Sequence, residues 1–307
     1  MKIVVMGTGG VGGYFGARLA NAGHDVAFIA RGKHLEAIKE NGLKIISELG
    51  DIIIHPVKAS NDPSDFEIAD IVLFCVKSYD TESSSNLIKP LVGPETAVIP
   101  FLNGIGHIEI MQRILGSNNV IGGVAAISAL IEKPGVIRHN SAMQMLKFGE
   151  FNNEITPRIK AFQKACEESG INNAIPKNIE CDLWQKIVMI CTLAGANCLT
   201  RLPLGPCRSN PVTRTLMKNL AEEVVAVAKA ENVILPDNQV EITMKQLDSL
   251  PEAMKASTLP ALEKGEKLEA SALNGAIDKL GTKHGINTYM HKAVYAALAP
   301  HQDGTPK

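Results

Sequence analysis

Apolar and polar positions along the first part of the chain predict strands and helices in alternation. A short apolar run at residues 1–6 breaks into glycines and is followed by a helix-compatible stretch that reaches Leu19. Further apolar runs predict strands at residues 25–30, 70–76 and 96–100. Strands that alternate with helices are typical of a parallel sheet with crossover helices.

The pattern changes towards the C-terminus. More strands are predicted at residues 120–127, 135–139 and 145–148. After residue 175 the apolar positions recur at helical spacing, and prolines or glycines separate the segments, which predicts helices at residues 180–199, 211–232, 240–250 and 266–284. The predicted fold class is α/β: an N-terminal Rossmann-type doubly wound sheet in residues 1–175, followed by an all-helical C-terminal domain in residues 176–307.

A glycine-rich turn follows the first predicted strand. Gly7, Gly9 and Gly12 form the pattern G-x-G-x-x-G between a strand and a helix, where a dinucleotide-binding turn requires it. In such a turn the first glycine permits the tight bend, the second lets the backbone approach a pyrophosphate, and the third lets helix and strand pack closely. The helix N-terminus offers amides and a partial positive charge to the phosphates. The order of strand, turn and helix favours a nucleotide site over a purely structural turn.

Arg31 bears on which nucleotide is bound. NAD-preferring sites usually place an acid at the end of the second strand, whereas an arginine accommodates a 2′-phosphate. Here that strand is followed by Arg31, and no acid occurs until Glu36. Arg31 can bind a phosphate through two parallel hydrogen bonds, with Lys33 or His34 adding charge. The alternative is a solvated surface arginine, but the sequence favours NADP(H).

Charge and composition narrow the function classes. The 307 residues carry a formal net charge of −1, so neither a nucleic-acid surface nor a basic membrane patch is expected. The chain starts on a predicted strand, so no signal peptide is expected. Its most apolar stretch, residues 187–196, is too short to span a bilayer. Six cysteines without a C-x-x-C pair predict reduced thiols and a cytoplasmic protein. No His/Cys cluster has metal-ligand spacing, so no metal is predicted.

Lys186 lies on a predicted helix at a position where an apolar side chain is expected. It shares a helical face with Ile190, Leu193 and Asn197. Removal from water favours the neutral amine and lowers the pKa of a lysine, which suits a proton donor that works near neutral pH. Alternatively, the side chain extends its ammonium group to water.

Glu269 is also a charged residue at a position where an apolar side chain is expected. In a helix over residues 266–284 it would align with Leu273, Ala276 and Leu280 on the apolar face, where a carboxylate needs a partner. Alternatively, Glu269 is a surface residue at the helix start, favoured there by the helix dipole.

These residues, together with several others, resemble the ketopantoate reductase (2-dehydropantoate 2-reductase) family over nearly the whole chain. The resemblance rests on the order and spacing of residues 7–12, Arg31, residues 76–77, 103–106 and 183–186, Ser257, and residues 268–269 and 274–275. It implies an enzyme that uses NADPH to reduce a small-molecule 2-oxo acid to a 2-hydroxy acid. The default reaction would be ketopantoate to pantoate in pantothenate biosynthesis, carried out by a homodimer.

The resemblance also implies roles for individual residues. Lys186 would donate a proton to the nascent alkoxide, and Glu269 would support the site and reach the nicotinamide end of the cofactor. Ser257 would contact the substrate carboxylate, together with Asn103 and Lys186 as substrate-binding residues. The implied cofactor-binding residues are Gly7, Thr8, Gly9, Gly10, Val11, Gly12, Arg31, Lys77, Asn103, Ser128 and Glu269.

The chain departs from the family pattern at the substrate. Family members that act on ketopantoate usually carry asparagines four and eight residues after the lysine, and another further on. Those places hold Ile190 and Ala194 here, and the third falls near Leu204. Each lost amide would remove about 1–3 kcal/mol of polar recognition. Thr192, Asn197 or Arg201 would have to substitute.

Three interpretations of function follow. The first is an NADPH-dependent reductase of ketopantoate, and the second is a relative that reduces a more apolar 2-oxo acid. The third is a binding protein that senses NADPH without efficient turnover. The presence together of Lys186, Glu269, Ser257 and Asn103 argues against a sensor, because a sensor needs only the N-terminal turn and Arg31.

Overall fold

The computed structural model describes residues 1–306, and the chain divides into two compact units. The first unit comprises Met1–Leu102 and His107–Ile179. The second comprises Asn103–Gly106 and the chain from Glu180 onwards. The domain boundary predicted at residues 175/176 stays a prediction. The boundary between the two compact units lies between Ile179 and Glu180, at the start of a long helix.

All ten strands of the described residues and five of their α-helices lie in the first unit. The strands are β1 (Lys2–Met6), β2 (Asp25–Ile29), β3 (Leu43–Ile46), β4 (Ile52–Ile54), β5 (Lys58–Ser60), β6 (Ile71–Phe74), β7 (Ala97–Pro100), β8 (Gly122–Lys133), β9 (Val136–Gly149) and β10 (Asn173–Ala174). The helices are α1 (Gly10–Asn21), α2 (Gly32–Asn41), α3 (Thr81–Leu87), α4 (His107–Leu115) and α5 (Pro157–Glu168).

A parallel sheet in the order β5-β2-β1-β6-β7 forms the centre of the first unit. The chain passes from β1 to β2 on one side and later places β6 on the other side, so the strand order reverses between β1 and β6. Doubly wound sheets bind ligands at the carboxyl ends of the strands at such a point. The predicted doubly wound sheet is therefore confirmed, and the glycine turn, residues 7–12, lies at this edge.

Both faces of this sheet are covered. Along β1, Ile3 and Val5 belong to one buried apolar cluster, whereas Val4 and Met6 belong to another. Successive side chains of a strand point to opposite faces. Two separate clusters on one strand show why β1 is a nearly continuous apolar run instead of an alternating one.

A second sheet in the first unit was only partly predicted. Its order is β10-β9-β3-β4, and β8 pairs with β9 in a long antiparallel hairpin. The short predicted strands after residue 120 are parts of this hairpin, which turns at Gly135 with a φ of +77°, a conformation that glycine adopts without strain. The strands β3, β4, β5 and β10, each of two to four residues, were not predicted.

The second unit is helical, as predicted. Its helices are α6 (Ile179–Thr200, whose first residue belongs to the first unit), α7 (Leu204–Ser209), α8 (Pro211–Ala230), α9 (Gln239–Ser249), α10 (Thr258–Glu263), α11 (Asn274–His284) and α12 (Tyr289–Leu298). Trp184 on α6 packs in a buried cluster with Val224 of α8 and Ile277 of α11. Burial of these apolar faces stabilises the bundle.

A buried polar group fixes α6 within this bundle. The Nδ2 of Asn274 donates hydrogen bonds to the carbonyl oxygen of Cys191, at 3.2 Å, and to Nδ1 of His291, at 3.0 Å. The Nε2 of His291 donates to the carbonyl oxygen of Leu220, at 3.0 Å. Desolvation lowers the pKa of His291 to about 4, so the imidazole is neutral and joins four helices at neutral pH.

The helix predicted at residues 266–284 is wrong in its first part. Residues Ala270–Ala272 form a 3₁₀ turn, and α11 begins only at Asn274. The chain breaks at Leu273, whose φ of −106° and ψ of −104° are not helical. The backbone of Ala272 lies against Gly104, where an added Cβ would come within 2.5 Å of its carbonyl oxygen. Glu269 therefore precedes both elements and does not lie on the apolar face of a helix.

None of the helices in residues 1–306 is long and apolar enough to cross a membrane. Within the same residues the six cysteines form no disulfide. Burial raises the pKa of Cys198 to about 12, which keeps this thiol protonated and unreactive.

Candidate active site

The glycine turn is held by close backbone contacts in the first unit. Gly7 has a φ of +94°, and a Cβ there would lie 3.0 Å from the backbone of Cys75, directly after β6. A Cβ at Gly12 would lie 2.3 Å from the carbonyl oxygen of Gly7. These approaches exclude side chains, and so they bring α1 directly against β1 and β6.

Gly9 differs from its neighbours because it faces open space. A Cβ added at Gly9 would meet no atom within 4 Å. Gly9 is also the N-cap of α1 and provides no side-chain cap for the first turn of the helix. The amides of Gly10, Val11 and Gly12 therefore offer donors and a partial positive charge beside this space. The arrangement fits a dinucleotide pyrophosphate.

Two other predicted cofactor residues lie around the same turn. The amide and the hydroxyl of Thr8 both donate to the carbonyl oxygen of Ile29, at 3.1 Å and 2.9 Å, so the polar donors of Thr8 hold the turn to β2. Ser128 is exposed on β8, where the register of the hairpin shifts. The next residue, Ala129, packs against Gly10, at which a Cβ would lie 2.1 Å from its carbonyl oxygen.

Arg31 lies where a 2′-phosphate selector is expected, at the end of β2 and before α2. Its guanidinium donates to the carboxylate of Asp80 at 2.9 Å. Asp80 follows β6 in the 3₁₀ turn Ser78–Asp80, and exposed Lys77 precedes that turn. Asp80 could not be predicted from the sequence, because Arg31 and Asp80 are 49 residues apart in the chain.

His34 does not add charge to this region, which corrects one expectation from the sequence. Its Nδ1 accepts a hydrogen bond from the amide of Gly135 at 3.1 Å. Burial lowers the pKa of His34, and an acceptor nitrogen on a half-buried ring is that of a neutral imidazole. Lys33 remains exposed on α2.

Lys186 and Glu269 come together in the second unit. Lys186 lies inside α6 rather than at its start, and it is half-buried on the face that carries Leu193 and Asn197, both of which are buried. Desolvation lowers the pKa of Lys186 to about 8, and the negative charge of Glu269 opposes that shift. A lysine in this state can give up a proton near neutral pH.

Two further predicted substrate residues belong to the second unit. Asn103 is half-buried and begins the segment Asn103–Gly106, which packs on Ala272, three residues after Glu269. Ser257 is exposed directly before α10. Their roles in substrate binding stay predictions.

Among the residues suggested as replacements for the missing asparagines, Asn197 is used elsewhere in the structure. Asn197 is fully buried: its Nδ2 donates to the carbonyl oxygen of Leu202 at 2.9 Å, and its Oδ1 accepts from the amide of Ala256 at 2.8 Å. Thr192 has no exposed surface. Arg201 is exposed at the end of α6 with a φ of +59°. Asn197 and Thr192 therefore serve the core of the unit.

Comparisons with known proteins agree with these features. The family model described as "Ketopantoate reductase PanE/ApbA" matches residues 3–153, and the one described as "Ketopantoate reductase PanE/ApbA C terminal" matches residues 178–302. The chain is 33% identical over 299 residues to "Uncharacterized oxidoreductase YkpB" of Bacillus subtilis, which covers 97% of this chain and 98% of that protein.

Two further relatives carry more specific names. The chain is 30% identical over 303 residues to a 2-dehydropantoate 2-reductase of Mesorhizobium japonicum, covering 92% of this chain and 91% of that protein. The crystal structure of a PanE/ApbA family ketopantoate reductase from Ralstonia eutropha JMP134 superposes with a TM-score of 0.90 at 30% identity, covering 98% of each chain.

The contrast between Gly9 and Gly10 gives a paired prediction. Gly9→Ala should leave the free energy of unfolding nearly unchanged, because its Cβ meets nothing, and should weaken dinucleotide binding by about 1–3 kcal/mol through overpacking. Gly10→Ala should instead lower the free energy of unfolding by about 1–3 kcal/mol, because its Cβ collides with Ala129. Urea unfolding and fluorescence titration with NADPH measure the two effects. Wild-type affinity in the Gly9 variant would rule out a pyrophosphate at this turn.

Proposed function

The chain belongs to the ketopantoate reductase family of oxidoreductases, and on that premise we propose that it reduces a 2-oxo acid to a 2-hydroxy acid with NADPH. Ketopantoate, which would yield pantoate for pantothenate biosynthesis, is the first candidate substrate. The observation that carries the proposal is Lys186, a half-buried lysine with a pKa of about 8 beside Glu269. We also propose a cytoplasmic homodimer, supported by the reduced cysteines and the family resemblance.

The residues of the first unit bind the dinucleotide in this proposal. The amides at the start of α1 hold the pyrophosphate at Gly9, and Arg31 with Lys33 contributes positive charge for the 2′-phosphate. When bound, the reduced nicotinamide supplies a hydride for the carbonyl carbon of the substrate. Lys77 and Ser128 stay in the proposed cofactor set on the family resemblance.

Lys186 supplies the proton. As the hydride adds to the carbonyl carbon, negative charge develops on the carbonyl oxygen, and a nearby ammonium stabilises and then neutralises it. At a pKa of about 8, about nine-tenths of the Lys186 side chains carry the proton at pH 7. Glu269 keeps the ammonium charged because its carboxylate opposes the effect of desolvation. Lys186 ends the step neutral and regains a proton from solvent.

The other polar residues orient the substrate. We propose that the Ser257 hydroxyl binds the carboxylate of the 2-oxo acid and that the Asn103 amide holds substrate and cofactor. Ser257 is exposed, and Asn103 is half-buried, so both are open to a ligand. A non-catalytic NADPH sensor would need neither of them, nor a lysine with a lowered pKa.

A second candidate function is the reduction of a more apolar 2-oxo acid. It is favoured by Ile190 and Ala194, which occupy positions where asparagines are expected. It is also favoured by Asn197, whose amide is already hydrogen-bonded to the backbone. With Thr192 buried as well, the replacements considered on α6 offer no amide for a substrate hydroxyl.

Replacement of Lys186 tests the proposed chemistry. Lys186→Ala should lower kcat for NADPH oxidation with a 2-oxo acid by about 10²–10⁴-fold, the usual value of general acid catalysis, while NADPH still binds. Stopped-flow absorbance measures turnover, and titration measures binding. Lys218→Ala is the matched control, because Lys218 pairs with Glu222 on the surface of α8. Turnover near the wild-type value in Lys186→Ala would show that the proton comes from another source.

The identity of the substrate is tested by a pair of 2-oxo acids. Ketopantoate and 3,3-dimethyl-2-oxobutanoate differ by one hydroxyl group. A pocket that binds this hydroxyl discriminates by up to about 10⁴-fold in kcat/KM, whereas an apolar wall achieves about 10²-fold. We expect the smaller value, and we expect Ile190→Asn, but not Ile190→Leu, to raise the preference for ketopantoate. A wild-type preference above about a thousandfold would contradict an apolar wall.

A further inference from the structure

The group proposed to select the 2′-phosphate is already paired with a carboxylate. The Nη2 of Arg31 lies 2.9 Å from Oδ2 of Asp80. The side chain of Arg31 is 78% exposed and that of Asp80 is 27% exposed, so the pair lies at the surface of the first unit. A phosphate that binds Arg31 must therefore lie close to the carboxylate of Asp80 or displace this carboxylate from the guanidinium.

The carboxylate of Asp80 is not required by the local fold. Asp80 is the N-cap residue of α3, where an aspartate usually accepts hydrogen bonds from the first helical amides. Its side chain makes no such cap bond, and the Ser83 hydroxyl donates to the backbone carbonyl of Asp80. The carboxylate is directed to Arg31 instead. Because exposed ion pairs contribute little to stability, this contact has no evident structural purpose.

Asp80 strongly affects the net charge around Arg31. His34 is neutral, because its Nδ1 accepts the Gly135 amide, so the nearby positive charge on α2 comes from Lys33. Asp80 cancels one of these two charges. A 2′-phosphate carries about two negative charges near pH 7 and competes with Asp80 for the guanidinium of Arg31, whereas the 2′-hydroxyl of NADH is neutral and does not.

We infer that Asp80 is a specificity-determining residue that sets the choice between NADPH and NADH by neutralising Arg31. This inference rests on the proposed function, in which Arg31 binds the 2′-phosphate. Asp80 limits the ratio of the affinities for NADPH and NADH to a modest factor, and it does so only through its contact with Arg31. NADH can therefore support the same reaction.

The test is a double-mutant cycle on the full-length protein. Dissociation constants for NADPH and NADH are measured by nicotinamide fluorescence in the wild type, Asp80→Asn, Arg31→Ala and the double variant at low ionic strength. Asp80→Asn removes the charge and keeps the shape. The matched control is Glu82→Gln, which removes a charge from the same helix, where Glu82 pairs with Arg113 at 3.1 Å.

In Asp80→Asn, we expect the affinity for NADPH to rise roughly tenfold and that for NADH to change little, as for one unit charge in a solvent-screened site. The gain should vanish when Arg31 is also Ala, because coupled residues show non-additive effects. It should also shrink as salt is added. Glu82→Gln should leave the ratio of the two constants at its wild-type value.

Three outcomes would overturn the inference while leaving the proposed function standing. These are an unchanged ratio in Asp80→Asn, an equal rise in Glu82→Gln, and a gain that persists without Arg31. Loss of NADH binding without a gain for NADPH would instead show that Asp80 binds the ribose hydroxyls, and would overturn it as well. A wild-type protein that binds neither dinucleotide would overturn both the proposed function and the inference.

Discussion

The close approach of backbone segments around the glycine turn is the constraint on which the first unit depends. At Gly12 and Gly10 an added Cβ would lie 2.3 Å and 2.1 Å from carbonyl oxygens of Gly7 and Ala129, far inside van der Waals contact. Helix α1 can therefore begin directly after β1, with its amides at the edge where the strand order reverses. Among Gly7, Gly9, Gly10 and Gly12, Gly9 alone faces open space, and we propose that the pyrophosphate of the dinucleotide binds there.

In the second unit, the proposed chemistry depends on an electrostatic constraint at Lys186. Desolvation and the charge of Glu269 act on Lys186 in opposite directions, and their balance leaves a pKa of about 8. The balance requires that α6 does not move. Asn274 holds the helix by donating to the carbonyl oxygen of Cys191, five residues beyond Lys186, and His291 accepts a second hydrogen bond from the same amide. The neutral imidazole of His291 serves this purpose near neutral pH without introducing a second buried charge.

Local signals allowed much of the fold to be predicted from the sequence. The glycine spacing at residues 7–12, the apolar runs of β1, β6 and β7, and the long helices α6 and α8 all depend on near neighbours in the chain. The unusual position of Lys186 was also visible from helical periodicity. The same periodicity misplaced Glu269, because the break at Leu273 arises where the backbone of Ala272 packs against Gly104.

Long-range pairs explain what could not be predicted. Arg31 and Asp80 meet only because β2 and β6 flank β1 in the sheet. The ring of His34 is partly buried, which lowers its pKa, and it accepts a hydrogen bond from the β8–β9 turn. The sequence indicated the loss of asparagines at Ile190 and Ala194. It could not show that Asn197 is used by the core, since its partners Leu202 and Ala256 lie outside α6.

The pH dependence of turnover tests the central claim, that Lys186 is a proton donor whose pKa is set by burial and Glu269. Because the donor must be protonated, kcat at saturating substrate and cofactor should fall as the pH rises through about 8. Glu269→Gln removes the charge that raises the pKa of Lys186, so the midpoint of the fall should move to lower pH, and Glu269→Asp should move it less. A midpoint that is the same in Glu269→Gln and the wild type would contradict the account.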